Sequence, residues 1–186
     1  MKKILFIGMP GSGKGTQAQF LEKYKIKNIS VGELIRNAFE RNDPALLPYK
    51  RSVAQGKLIP DKITFELLEK SLKNLEDYLG YLLDGACRTL AQAKIAMQKN
   101  LINEVVFFEL SKQEAIKRLF HRAKTSNIKR TDDNLKTIEK RFEVYKKETK
   151  PVLDFFKKNI KKFHTINATP SVEQIHKEVV KVLELK

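Results

Sequence analysis

Apolar residues recur along this chain in two alternating rhythms. Short unbroken runs, Ile4-Leu5-Phe6-Ile7, Tyr81-Leu82-Leu83 and Val105-Val106-Phe107-Phe108, have the length of buried strands. Between them the apolar positions take helical spacing, as at Ile63, Leu67, Leu68 and Leu72. The pattern predicts strands over 4–7, 27–30, 80–85, 104–110 and 163–166. It predicts helices over 16–24, 31–42, 46–55, 63–73, 92–101, 112–123, 133–147, 151–158 and 172–185. Asp43-Pro44 breaks the second helix, Gly56 ends the third, and Ser171 caps the last. Strands alternating with helices imply an α/β fold: a five-stranded parallel sheet with helices on both faces.

The first strand runs into the most informative stretch. Gly8, Gly11, Gly13 and Gly15 surround Ser12 and Lys14, and Thr16 follows as a helix opens. Glycine lets backbone N–H groups turn inward around an anion, because no Cβ blocks the approach. The helix points its positive end at the same place, and Lys14 adds a full charge on a flexible stem. The pattern G-x-x-x-x-G-K-[ST] holds from Gly8 to Lys14, then places Gly15 before the hydroxyl of Thr16. This is a phosphate cradle, and the fold class is a three-layer P-loop fold.

At 186 residues the chain is expected to form a single unit. The apolar run after Lys2-Lys3 is too short for a signal peptide, and no run is long enough to cross a membrane. One cysteine, Cys87, excludes an internal disulfide and a cysteine-based zinc cluster, so the default location is cytoplasmic. The net charge of +15 comes mostly from lysines scattered over helix faces rather than gathered in blocks. It suits polyanionic small molecules. Nucleic-acid binding is not expected, because the aromatic residues read as structural rather than as a stacking face.

Arginines stand at segment ends, where the cleft of such a sheet would lie. They are Arg36, Arg88, Arg118, Arg122, Arg130 and Arg141. A guanidinium offers paired donors that match phosphate oxygens two at a time. Asp84 closes the third strand at its C-terminal edge, the place where such sheets hold ligands. No general base stands out: His121, His164 and His176 read as packed or exposed residues. A phosphate acceptor needs none, because it is already ionised near neutral pH.

The motif GMPGSGKGTQ resembles the opening of adenylate kinases and related nucleoside monophosphate kinases, and the resemblance covers nearly the whole chain. It implies an enzyme that moves the γ-phosphoryl group of ATP to AMP with Mg2+, without structural zinc, and as a monomer. It implies ATP contacts at Gly11, Ser12, Gly13, Lys14, Gly15, Thr16, Arg118 and Arg122. ISVGELIR resembles the motif ending in an acceptor-phosphate arginine, here Arg36, with Val31 near the acceptor base. GKLIPD resembles the base-reading segment, here Lys57, Leu58 and Ile59. LLDGACR is similar to LLDGFPR, which implies Asp84 as a water-mediated Mg2+ residue and Gly85 and Arg88 as acceptor ligands. Gln92 stands at the adenine-reading position, and Glu33 is a weaker candidate near the metal. RLFHR and RTDDN, with Arg141, resemble the edges of the lid, which implies phosphate contacts from Arg122, Arg130 and Arg141, with Arg130 and Arg141 in the AMP-binding set, and a catalytic group of Lys14 with Arg88, Arg122, Arg130 and Arg141. Only seven residues separate Arg122 from Arg130, as in the short-lid variant. The expected division is a core of 1–30, 61–121 and 142–186, an acceptor flap of 31–60 and a lid of 122–141.

Departures from the family gather on the acceptor side. Val31 replaces a threonine, Glu33 an aspartate, and Ala86-Cys87 the Phe-Pro of LLDGFPR. They remove an apolar wall beside the acceptor base and loosen the turn before Arg88. Restoring Phe and Pro there is expected to improve AMP use. Two alternatives stay open on the residues alone: a kinase for UMP or CMP, and an ATP-binding regulatory module with impaired transfer.

Overall fold

The computed structural model describes residues 1–125 and 135–186. Five strands, β1 (Lys2–Gly8), β2 (Ile26–Ser30), β3 (Gly80–Asp84), β4 (Glu104–Glu109) and β5 (Lys162–Asn167), form one parallel sheet in the order β2-β3-β1-β4-β5. The central strand alternates between two buried faces. Leu5 and Ile7 join one apolar cluster, Ile4 and Phe6 the other, which is why the run reads as continuously apolar.

Each face is covered by helices. The first cluster takes in α2 (Val31–Glu40), α4 (Asp61–Ser71), α5 (Leu90–Gln98) and α8 (Lys150–Asn159). The second takes in α1 (Lys14–Phe20), α6 (Lys112–Thr125), α7 (Leu135–Val144) and α9 (Val172–Val182). The remaining short helix, α3 (Lys50–Ala54), lies between α2 and α4 in the chain. The side chain of Ser171 accepts from the Gln174 N–H and that of Gln174 from the Ser171 N–H, so the expected cap on α9 is reciprocal.

Three segments differ from the sequence expectation. α1 starts at Lys14, because Gly13 caps it in the left-handed region at φ 87°, and it gives way to a 3₁₀ turn at Leu21–Tyr24. The helix expected over 46–55 is a 3₁₀ turn, Leu47–Tyr49, followed by the single turn and a half of α3. Pro48 has no N–H to give, so the segment opens tightly. The break expected before Pro151 is absent: α7 runs through a π turn, Tyr145–Thr149, directly into α8. The wider turn leaves room for the proline ring at the start of α8. The expectations for 126–134, Arg130 among them, lie outside the described residues.

Candidate functional site

The chain crosses from β1 past β3 to β2 on one side, and later from β3 past β1 to β4 on the other, so a crevice opens at the carboxyl end of β1. A cleft of about 1400 Å³ occupies that place. Its size exceeds that of a typical single-ligand pocket.

The floor of the cleft is the loop after β1 and the first turn of α1, including Gly11, Ser12, Gly13, Lys14, Gly15 and Thr16. Two of its glycines are demanded by shape. A Cβ on Gly8 would meet the Ser12 hydroxyl at 2.7 Å and the Phe108 carbonyl at 2.9 Å. Gly11 has φ +85°, and a Cβ there would lie 2.6 Å from the Ala115 carbonyl. The Lys14 ammonium donates to the carbonyls of Gly8 at 2.8 Å and Met9 at 3.0 Å, and to Ser12 Oγ at 3.1 Å. Ser12 is fully buried, so the grip on Lys14 is fixed from below.

Burial pulls the Lys14 pKa down to about 8. Asp84 opposes the shift, while Arg88, Arg141 and Arg122 reinforce it. Four side chains distant in sequence thus act on one ammonium. The Asp84 carboxylate lies over the start of α1, 3.7 Å from where a Gly15 Cβ would sit.

The acceptor-side candidates line the same cleft. Val31, Glu33 and Arg36 come from α2, and Lys57, Leu58 and Ile59 from the link before α4. Gly85, Arg88 and Gln92 follow β3. The turn carrying Arg88 is sharply wound: Gly85 has φ 74° and Cys87 has φ 53°. Arg88 Nε donates to the Gly85 carbonyl at 2.8 Å. Gln92 is buried, with both ends of its amide engaged: its Oε1 accepts from the Arg88 N–H at 2.8 Å and its Nε2 donates to Asp61 Oδ1 at 2.7 Å. The conformation at Cys87 corrects one expectation. Proline is locked near φ −65° and cannot take φ 53°, so restoring Phe-Pro does not fit this turn.

On the opposite side, Arg118, Arg122 and Arg141 also line the cleft. Arg118 is held by Glu114 at 3.1 Å and by the Thr169 carbonyl at 3.0 Å. Arg141 meets the acceptor side as well: a Cβ on Gly56 would lie 3.1 Å from its Cγ. Thr137, one turn earlier on α7, donates to the Ala54 carbonyl at 3.3 Å.

Of the histidines, His164 contacts Glu104 at 3.0 Å and His176 contacts Gln17 at 3.2 Å, while His121 lines the cleft. Sequence reasoning did not single out Thr149, whose hydroxyl reaches the Arg88 carbonyl, nor the role of Asp61 behind Gln92. Asp61 was visible only as a helix start, and no local signal marks Thr149. Among the described residues, no three His, Cys, Asp or Glu side chains gather in a way that could hold a metal, and no helix is long and apolar enough to cross a membrane.

A family model described as adenylate kinase matches residues 6–161. An adenylate kinase of Bacteroides thetaiotaomicron is 35% identical over 191 residues, covering 99% of each chain. One from Porphyromonas gingivalis is 34% identical, covering 99% of this chain and 96% of its own. One from Flavobacterium psychrophilum is 33% identical, covering 98% of each.

Proposed function

The chain belongs to the adenylate kinase family, and from that premise we infer that it transfers the γ-phosphoryl group of ATP to AMP, giving two molecules of ADP. One observation carries the reading at the level of residues. Lys14, Arg88, Arg122 and Arg141 converge on one glycine-lined loop, with Asp84 as the opposing charge. So much positive charge in one cleft is costly unless phosphates enter it. Neither a UMP or CMP kinase nor a regulatory module is favoured, since the relatives are named adenylate kinases and the phosphate-binding cations are present.

The roles of individual residues belong to the proposal. The loop from Gly11 to Thr16 cradles the ATP phosphates, and Lys14 follows the moving group. Arg118 flanks the donor base from the rim, and Arg122 and Arg141 neutralise charge on the transferred phosphoryl group, with Arg130 joining them. Arg36 and Arg88 hold the acceptor phosphate. Lys57, Leu58, Ile59, Val31 and Gly85 border the acceptor nucleotide. Gln92 contributes by holding the Arg88 turn, and it reads adenine only if its amide leaves Asp61. The acceptor oxygen is already anionic, so the protein has only to align it with the γ-phosphorus and exclude water.

Mg2+ fits this arrangement, because it keeps most of its waters and takes phosphate oxygens with one or two carboxylates. Asp84, with Glu33 as a weaker partner, would hold those waters. The ion would spread the charge of the β- and γ-phosphates. The core, flap and lid ranges given above, a monomeric state and a cytosolic setting complete the proposal.

A coupled assay offering ATP with AMP, UMP, CMP, GMP and dAMP in turn tests it. Transfer to AMP well above the others is expected. Equal or better use of UMP or CMP overturns the acceptor assignment. Transfer to none, with ATP still bound, overturns the activity.

A further inference from the structure

The π turn at Tyr145–Thr149 sits inside what would otherwise be one unbroken helix. Such turns are rare, and they are frequent at functional sites. The last residue of the turn, Thr149, is buried. A helical threonine usually bonds a carbonyl of its own preceding turn. Thr149 Oγ instead donates across the fold to the Arg88 carbonyl at 2.9 Å.

Arg88 needs outside support. Its turn contains a non-glycine residue, Cys87, in the left-handed region, where an L side chain is strained. Two side chains from other elements hold the Arg88 backbone. Gln92 Oε1 takes the N–H and Thr149 Oγ supplies the carbonyl. With both backbone groups held, the guanidinium is directed into the cleft while its Nε bonds Gly85.

We propose that Thr149 is a positioning residue for phosphoryl transfer, aiming Arg88 through its backbone carbonyl. The inference rests on the reading of Arg88 as an acceptor-phosphate ligand. The hydroxyl is the active part, so serine serves in its place and valine, of the same shape, does not.

Steady-state kinetics of Thr149→Val, Thr149→Ser and Arg88→Ala test this, with thermal unfolding followed for each. The valine variant is expected to lose roughly 5–30-fold in kcat/KM for AMP, the effect of leaving one buried carbonyl unpaired. The KM for ATP stays level, and serine restores the wild-type values. Adding Thr149→Val to Arg88→Ala causes no further loss. If Arg88→Ala is impaired while Thr149→Val behaves as wild type, the positioning role is wrong and the Arg88 reading stands. If Thr149→Val weakens ATP and AMP equally, or serine fails to restore, the hydroxyl does not act through Arg88. Should Arg88→Ala itself be fully active, the phosphate-ligand reading falls, and this inference with it. If the valine variant does not fold, Thr149→Ala set against Thr149→Ser carries the same comparison.

Discussion

Lys14 shows how a residue's environment becomes a functional property. Its ammonium is partly buried among other cations, so its proton is held weakly, with a pKa near 8. Bound phosphates reverse that balance and raise the pKa, so ATP binding above pH 8 takes up a proton. Below pH 8 the ammonium is charged in either state, and affinity is level with respect to this group. Above it, affinity falls, approaching about tenfold per pH unit. Isothermal titration in buffers of different ionisation enthalpy should show proton uptake near pH 8.5, and Lys14→Met should abolish both the slope and the uptake. Cys87 shows the opposite case, a residue whose backbone matters more than its side chain. Burial pushes its thiol pKa far up, so it is inert as a nucleophile. Its φ of 53° bars proline. Cys87→Pro is expected to lower the Tm by roughly 6–12 °C, measured by circular dichroism.

Among the elements, α7 matters beyond its own helix. It carries Arg141 into the cleft, and it touches the end of α3 through Thr137 and through Gly56. The acceptor flap and the helix that carries Arg141 therefore meet directly. Gly56 makes that approach possible: its φ is +78°, and a methyl group added there would lie only 3.1 Å from Arg141 Cγ. Gly56→Ala is expected to lower the Tm by roughly 2–8 °C from backbone strain. It should also reduce kcat, because Arg141 must give way. Unchanged kcat in a destabilised variant would mean that α7 accommodates the methyl group without moving its arginine. The π turn belongs at this scale too, since a helix without it would present a different face at Thr149.

At the scale of the whole molecule, a net charge of +15 surrounds a cleft that already concentrates cations. Both nucleotides are polyanions, so the long-range field speeds their approach. Stopped-flow measurement of ATP association should show the on-rate falling by about tenfold between roughly 0.05 and 0.5 M salt. The dissociation rate should change far less, because contacts inside the cleft are less screened.

The chain's order of apolar runs and helical stretches was sufficient to determine the parallel sheet and its two helical layers. Strands buried on both faces must be apolar throughout, and that signature is local. The phosphate cradle was equally legible in residues 8–16, because tight backbone approach to an anion demands glycine at fixed spacing. The arginines could be named one by one, but the meeting of Arg88, Arg122 and Arg141 on Lys14 is a property of the folded sheet, which brings these distant segments to the carboxyl ends of its strands. The left-handed Cys87, the engaged amide of Gln92 and the reach of Thr149 were decided only in three dimensions. Each depends on a partner far along the chain, and no pattern of neighbouring residues records which hydrogen bonds the packed core will leave to be made.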